Sequence, residues 1–310
     1  MNTDEKEIEL ESTILAPENK VSSQQKIVSL FSESNSDVVL KCQTSHYVSF
    51  PSMMRSIVEA GIQKCEYPLI KMIGLSIMGG MLLSVGGLMS INIGNALPSS
   101  ELGISKFVFG ACFSIGLILV VFTQSELFTS NCATLIPTLL ERKIKWYFVI
   151  KSLITTYFGN LIGSIFVAVM FGKVLGSFDN KLYIEALIKI GEAKVQLDFG
   201  RAILSGIGCN WVVCTAVILS FSSKDVIGKV AILSIFVMTF VSLGFEHSVA
   251  NMFFLPLAQM YGAKINMLQI VWCNLIPVSF GNIIGGIVFV GIPFWYLHIS
   301  TIYRIPFIDP

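Results

Sequence analysis

Charge is scarce in this sequence: 13% of its 310 residues are Asp, Glu, Lys or Arg, against 54% hydrophobic. Soluble domains carry about 25% charged residues, so a chain this poor in charge cannot clothe a surface that faces water. The formal net charge is only +1. That excludes nucleic-acid binding, which needs a concentrated basic face. The seven cysteines, Cys42, Cys65, Cys112, Cys132, Cys209, Cys214 and Cys273, form no Cys-x-x-Cys pair and have no metal-ligand spacing. They read as small hydrophobes, and neither a metal nor another cofactor is implied. The apolar runs also lack the paired aspartates or His-Glu-x-x-His that an intramembrane enzyme would need.

Long apolar runs are what the chain has. A membrane span takes about 20 mostly apolar residues, and six stretches qualify: 70–93, 107–140, 146–171, 199–221, 230–260 and 267–297. The sequence therefore predicts an all-α, multi-pass membrane protein. Residues 1–66 are polar and begin MNTDEKEIELES. They read as a cytoplasmic tail, largely disordered, with a short amphipathic helix near Met53–Ile62. Residues 67–172 make a first three-helix unit, 173–198 an extracellular loop, 199–300 a second unit and 301–310 a cytoplasmic C-terminal tail. The cations of Arg142, Lys143 and Lys145, and of Lys224 and Lys229, place their loops and both termini in the cytoplasm by the positive-inside tendency. A plasma membrane is the expected location.

The two units match. Glu126–Asn131 aligns with Glu246–Asn251 at an offset of 246 − 126 = 120, and Pro137 falls near Pro256. Phe158–Gly163 aligns with Phe280–Gly285 at 280 − 158 = 122. Three spans per copy force the second copy to enter from the opposite side, so the repeats are inverted. The second and fifth spans are interrupted by Thr-Gln-Ser-Glu126 and by Glu246-His247. An acidic residue in hydrocarbon must face protein or water, and irregular backbone at that depth is tolerated only where it is buried or lines a cavity. Both spans are therefore expected to be broken helices whose ends meet at a midplane site. The small residues and the asparagines of Phe-Gly-Asn-x-Ile-Gly, Asn160 and Asn282, are expected to join helices.

Chemistry concentrates at the breaks. His247 stands inside a span, unlike His46 in the tail and His298 at a membrane edge, and histidine titrates near neutral pH. Glu246 needs a cation, for which Lys194, at the start of span four, is the candidate. Asn210 in span four needs a polar partner. Phe113, Leu117, Val213, Phe240, Leu127 and Phe128 lie near the breaks and can together narrow a passage.

These residues resemble the formate/nitrite transporter family. The likeness rests on Glu126-Leu-Phe-Thr-Ser-Asn131, Lys194-Val195, Cys209-Asn210-Trp211, Gly244-Phe-Glu-His-Ser-Val-Ala-Asn-Met252, Asn274-Leu-Ile-Pro-Val278 and Phe280-Gly-Asn-Ile-Ile-Gly-Gly286, and spans roughly residues 55 to 300. It implies an aquaporin-like protomer of two inverted repeats, assembled as a homopentamer. By that resemblance His247 is the central pore histidine and Thr129 its neighbour, with Asn131 and Asn251 on the broken helices. Glu246, Lys194 and Asn210 match the buried polar network. Phe113 and Phe240 match an outer constriction, and Leu117, Leu127, Phe128 and Val213 an inner one. After Lys194-Val195 this chain reads Gln-Leu-Asp-Phe where many relatives carry histidines, so its vestibule chemistry departs from theirs.

The resemblance implies transport of a small anion such as formate, nitrite, hydrosulfide or lactate. A lone anion in low dielectric faces a Born cost of tens of kcal/mol, and a neutral polar molecule only a few. Symport of anion with proton is the expected mode, with the anion gathered near Lys194 and the proton taken from bulk water or through His247. A passive anion channel of the same fold is the alternative. An aquaporin-like solute channel would carry Asn-Pro-Ala at both half-helices, where this chain reads Thr-Ser-Asn and Val-Ala-Asn.

Overall fold

A computed structural model of the chain describes residues 47–94 and 102–299. The expected tails up to residue 46 and from residue 300 lie outside the described residues. Among those described the structure is all-helical. Five helices are long and apolar enough to cross a membrane: Leu69–Gly94, Gly103–Phe122, Trp146–Val174, Phe199–Ser220 and Met267–His298.

The first half runs α1 (Phe50–Cys65), α2 (Leu69–Gly94), α3 (Leu102–Phe122), α4 (Phe128–Thr134), α5 (Ile136–Leu140) and α6 (Trp146–Val167), which continues as a π-helical turn to Val174. The second half runs α7 (Lys181–Val195), α8 (Phe199–Ser220), α9 (Val226–Ser242), α10 (Ser248–Met260) and then Met267–His298. Within that last rod, α11 (Met267–Gln269), α12 (Ile276–Gly286) and α13 (Ile292–His298) are separated by π-helical turns.

Both expected interruptions are there. The stretch 107–140 is α3, α4 and α5, and 230–260 is α9 and α10, so neither is one continuous helix. Each break is made by the same backbone device. At the end of α3, Gln124 N–H donates to Val121 O and Ser125 N–H to Val120 O. At the end of α9, Gly244 N–H donates to Val241 O and Phe245 N–H to Phe240 O. These are Schellman closures, which need a left-handed residue at the turn, and Gln124 (φ 53°) and Gly244 (φ 73°) supply it. Both bonds of the first closure recur in the second at an offset of 120.

Asn160 and Asn282 then fasten the broken ends. Asn160 Nδ2 donates to Ser76 O (2.7 Å) and Glu126 O (2.9 Å), while its Oδ1 accepts from Phe128 N–H (2.9 Å). Asn282 does the same with Gly206 O (2.8 Å), Glu246 O (3.1 Å) and Ser248 N–H (2.9 Å). Each asparagine thus satisfies a carbonyl and an amide that the break leaves without helical partners.

Two segments differ from their expected character. The short amphipathic helix expected near Met53–Ile62 is part of α1, which is longer and packs into the core. Its Met53, Met54 and Ile57 are wholly buried against Ala133, Cys214, Ile218 and Val290. The 173–198 segment, expected as a loop, holds α7, which buries Leu187 and Gly191. Both segments are polar enough to read as water-facing, and both in fact present one apolar stripe to the core. Each half therefore opens with a short helix ahead of its first long one.

Gly244 can be tested alone, because a Cβ there would meet nothing within 4 Å. Gly244→Ala is expected to cost about 1–2 kcal/mol from the left-handed backbone alone, read as a lowered denaturation midpoint in detergent. Gln124→Gly, which relieves the same strain at the other break, is expected not to lower it.

Candidate functional site

The residue after each closure is a nearly buried glutamate, and each sits in a polar cage. Glu246 takes Lys194 Nζ on both oxygens, at 3.0 and 3.1 Å. It also accepts from Asn251 Nδ2 at 2.6 Å and Asn274 Nδ2 at 3.3 Å. Asn274 is held in turn by Lys194 O (2.9 Å) and Asn251 (2.7 Å). Lys194 stands in the last turn of α7, ahead of α8 rather than in it.

The first half holds a second cage that sequence reasoning missed. Lys64, in the last turn of α1, approaches Glu126 Oε1 at 3.1 Å and Oε2 at 3.2 Å, and donates to Asn131 Oδ1 at 2.8 Å. Asn131 Nδ2 donates to Glu126 Oε2 (2.7 Å) and Ser152 Oγ (3.2 Å). A signal existed: Gly61-Ile-Gln-Lys64 and Gly191-Glu-Ala-Lys194 repeat at 194 − 64 = 130. The glycines have a physical reason. A Cβ on Gly61 would collide with Thr138 and one on Gly191 with Ala258, so only glycine lets each helix come close enough for its lysine to reach the carboxylate.

Between the cages lie His247 and Thr129. His247 is the N-cap of α10, and its Nδ1 accepts from Ala250 N–H at 3.1 Å. A backbone N–H can only donate, so Nδ1 carries no proton. The ring hydrogen is on Nε2, which donates to Thr129 Oγ1 at 3.0 Å. In the first half the equivalent N-cap is Leu127, which offers no side-chain cap. Asn210 lies apart from the Lys194–Glu246 cage. It donates to Thr129 O (3.1 Å) and Asn282 O (2.6 Å), on the side of the centre where Cys214 Sγ also reaches Thr129 O.

On the α7 side a cavity of about 880 Å³ is lined by residues that include Phe113, Phe240 and His247. The Phe113 and Phe240 rings meet edge to face, 6.3 Å between centroids, and Phe240 stacks on the His247 ring at 5.9 Å. Leu117, Leu127, Phe128 and Val213 are all buried in the main core. Phe128 packs edge-on against Tyr157 at 5.0 Å. The structure thus brings His247, Thr129, Phe113 and Phe240 together, cages Lys194, Glu246 and Asn251 beside them, and puts Asn131 in the mirror cage. The hydroxyls of Ser130 and Ser248, beside this centre in sequence, are buried without a hydrogen-bond partner.

Comparison with known proteins gives one answer. A formate/nitrite transporter family profile matches residues 51–296. A formate-nitrite transporter of Entamoeba histolytica is 52% identical over 267 residues, covering 86% of this chain and 75% of its own length. A formate channel of Bacillus thuringiensis is 36% identical, covering 77% of this chain and 91% of its own. Among solved structures, an FNT family ion channel superposes with a TM-score of 0.74 at 27% identity, covering 79% of this chain and 98% of that one. A pentameric formate channel with formate bound superposes with a TM-score of 0.66 at 33% identity, covering 75% and 98%. The chain, an integral multi-pass membrane protein, therefore belongs to the formate/nitrite transporter family, whose members carry small monovalent anions across membranes and are not enzymes.

Proposed function

We propose that this chain is a proton-coupled carrier of formate, lactate, nitrite or a related short monocarboxylate. The observation that carries the reading is the His247 imidazole, held by its own helix cap with Nε2–H turned toward Thr129, on the wall of a cavity that Phe113 and Phe240 also line. The N-termini of α4 and α10, each opening at a break, add the positive end of a helix dipole. In this reading the chain crosses the membrane six times, counting each broken helix as one span, in two inverted, aquaporin-like repeats. Support comes from residues that touch their own counterparts. Ser114 and Ser234, 120 apart, place their hydroxyls 3.5 Å from each other. Tyr157 and Ser279, 122 apart, are bonded at 3.3 Å. A residue can meet its repeat image only on the axis that relates the repeats.

We take the assembly to be a homopentamer with one passage per subunit, as in the pentameric relative, and the vestibule beside α7 to face the outside. The stripe of exposed Ile150, Ile154, Phe158 and Ile162 along α6 suits lipid or a neighbouring subunit. The cytoplasmic placement of the termini follows the cation distribution of the loops, and we take the membrane to be the plasma membrane.

Charge sets the mechanism. An acid with a pKa of about 4 is neutral in only about one molecule in 10³ at pH 7, so the carrier must gather anions and neutralise them. The anion collects in the vestibule around Lys194. Hydration is lost toward the two phenylalanines, and that loss favours the neutral acid. As His247 stands, giving up its single ring proton would leave an imidazolate, and taking a second would break the cap to Ala250. The ring therefore serves as a donor that meets the carboxyl group, while the proton comes from bulk water. Leu117, Leu127, Val213 and Phe128 form the constriction beyond it. The passive channel remains the second reading, because relatives are named formate channels.

Proteoliposomes separate the two. Uptake driven by an inward pH gradient and indifferent to membrane voltage is expected; uptake that follows voltage and ignores the gradient establishes the channel instead. His247→Asn is expected to keep the fold, because Asn is itself a strong N-cap, and to lose proton-coupled uptake. Proton-coupled uptake kept at the unaltered rate in that variant would remove His247 from the mechanism. Lys194→Ala and Lys64→Ala each strand a buried carboxylate, a loss of about 3–5 kcal/mol, and are expected to lower the melting temperature in detergent, with Lys194→Ala also weakening uptake at low anion concentration.

A further inference from the structure

The outer vestibule has cations besides Lys194. Lys106, at the start of α3, and Lys189, on α7, both line the same cavity and both are exposed. Neither makes an ion pair among the described residues, whereas Lys194 is bound by both oxygens of Glu246. At the range of a ligand entering the mouth, that bidentate pair cancels to little more than a dipole. The other carboxylate lining the cavity, Glu185, lies 3.8 Å from Lys181, with both groups largely in water. The uncompensated positive potential of the mouth therefore belongs to Lys106 and Lys189.

Both lysines are held in place by their helices. Ser105 donates to Gly94 O at 2.7 Å, tying the start of α3 to the end of α2. Tyr183 donates from α7 to Asn92 O at 3.2 Å, in the same stretch of α2. The two lysine-bearing helices are thus anchored to one helix end, and the lysines keep a common cavity between them.

We propose that Lys106 and Lys189 capture the anion at the mouth of this vestibule, ahead of Lys194, which lines the same cavity deeper in and also neutralises Glu246. The inference rests on the transport reading above. Its chemistry is that of an unspecific cationic rim: it concentrates small monoanions by potential, without the paired donors that would hold one tightly. A flexible exposed ammonium suits that task, since release toward the phenylalanines must follow capture.

The test is the double variant K106Q/K189Q, compared with the unaltered protein in proteoliposomes at low ionic strength. Formate influx and efflux are both measured, so that the rim faces the substrate in one direction whatever the insertion. The expected result is a rise in KM of about threefold to tenfold in that direction with Vmax kept, the low end of the concentration that charged clefts achieve. Added salt should raise the KM of the unaltered protein toward that of the variant, because the Debye length shrinks to about 10 Å at 0.1 M. An unchanged KM, or a fall in Vmax alone, overturns the proposal, with detergent melting confirming that the variant is folded. Absence of formate flux in the unaltered protein would instead overturn the transport reading.

Discussion

Two carboxylates buried at helix breaks govern the design of this protein. Glu126 and Glu246 are 2% and 5% exposed, and a charge at that depth is tolerated only with a partner and hydrogen bonds to satisfy it. Each therefore calls in distant parts of the chain. A lysine comes from the short helix that opens its half, α1 or α7. An asparagine comes five residues on, from the half-helix itself. A further polar group comes from the helix that closes the half, Ser152 from α6 or Asn274 from the Met267–His298 rod. The cages bind the breaks to their surroundings, so a gap in each helix becomes a rigid junction. Asn160 and Asn282 complete it by satisfying the backbone on both sides of the gap.

That logic explains what could be read in advance. Glu-x-x-x-x-Asn at an offset of 120 and Phe-Gly-Asn at 122 sit in long apolar runs, where a polar residue is conspicuous, so the breaks and the duplicated core were legible. Lys64 was not. It lies in a polar stretch where a lysine is unremarkable, and its offset from Lys194 is 130. The offset falls by ten between the lysines and the glutamates because the connections differ in length, and a search at one fixed spacing passes over it. The helix α7 escaped for the same reason: its apolar stripe is narrow and average composition gives it the look of a loop, whereas the amphipathic pattern near Met53–Ile62 did signal part of α1. For Glu246 the sequence offered Lys194 as partner, and the pairing is observed, but on the helix before the one expected.

The repeats agree where they build scaffold and disagree where they meet. Closures and asparagine fasteners recur bond for bond, and each cage keeps its lysine, glutamate and asparagine, although Lys64 also donates to Asn131 Oδ1 while Asn251 Oδ1 accepts nothing. At the centre, Leu127 stands where the other half has His247, Thr129 where it has Val249, and Phe128 where it has Ser248. Only one of the two half-helices is therefore capped by a side chain, and the imidazole that caps it faces a hydroxyl belonging to the opposite half. Duplication makes the frame; divergence of a few residues at its centre sets one imidazole from the second half against one hydroxyl from the first.

In the proposed transport reading the cages also determine what the passage does to charge. Each glutamate is matched by its own lysine, so neither cage leaves a net charge to hold an ion inside. An anion that went past Phe113 and Phe240 bare would face the Born cost with no opposite charge beyond, and a metal cation would face it with no proton to lose. A weak acid alone can change its charge on the way, by taking up a proton where the water thins. In the proposed transport cycle, selection by sign therefore happens at the mouth, in solvent, where a few exposed lysines suffice. Selection by chemistry happens at the phenylalanines, where only a species able to become neutral goes on.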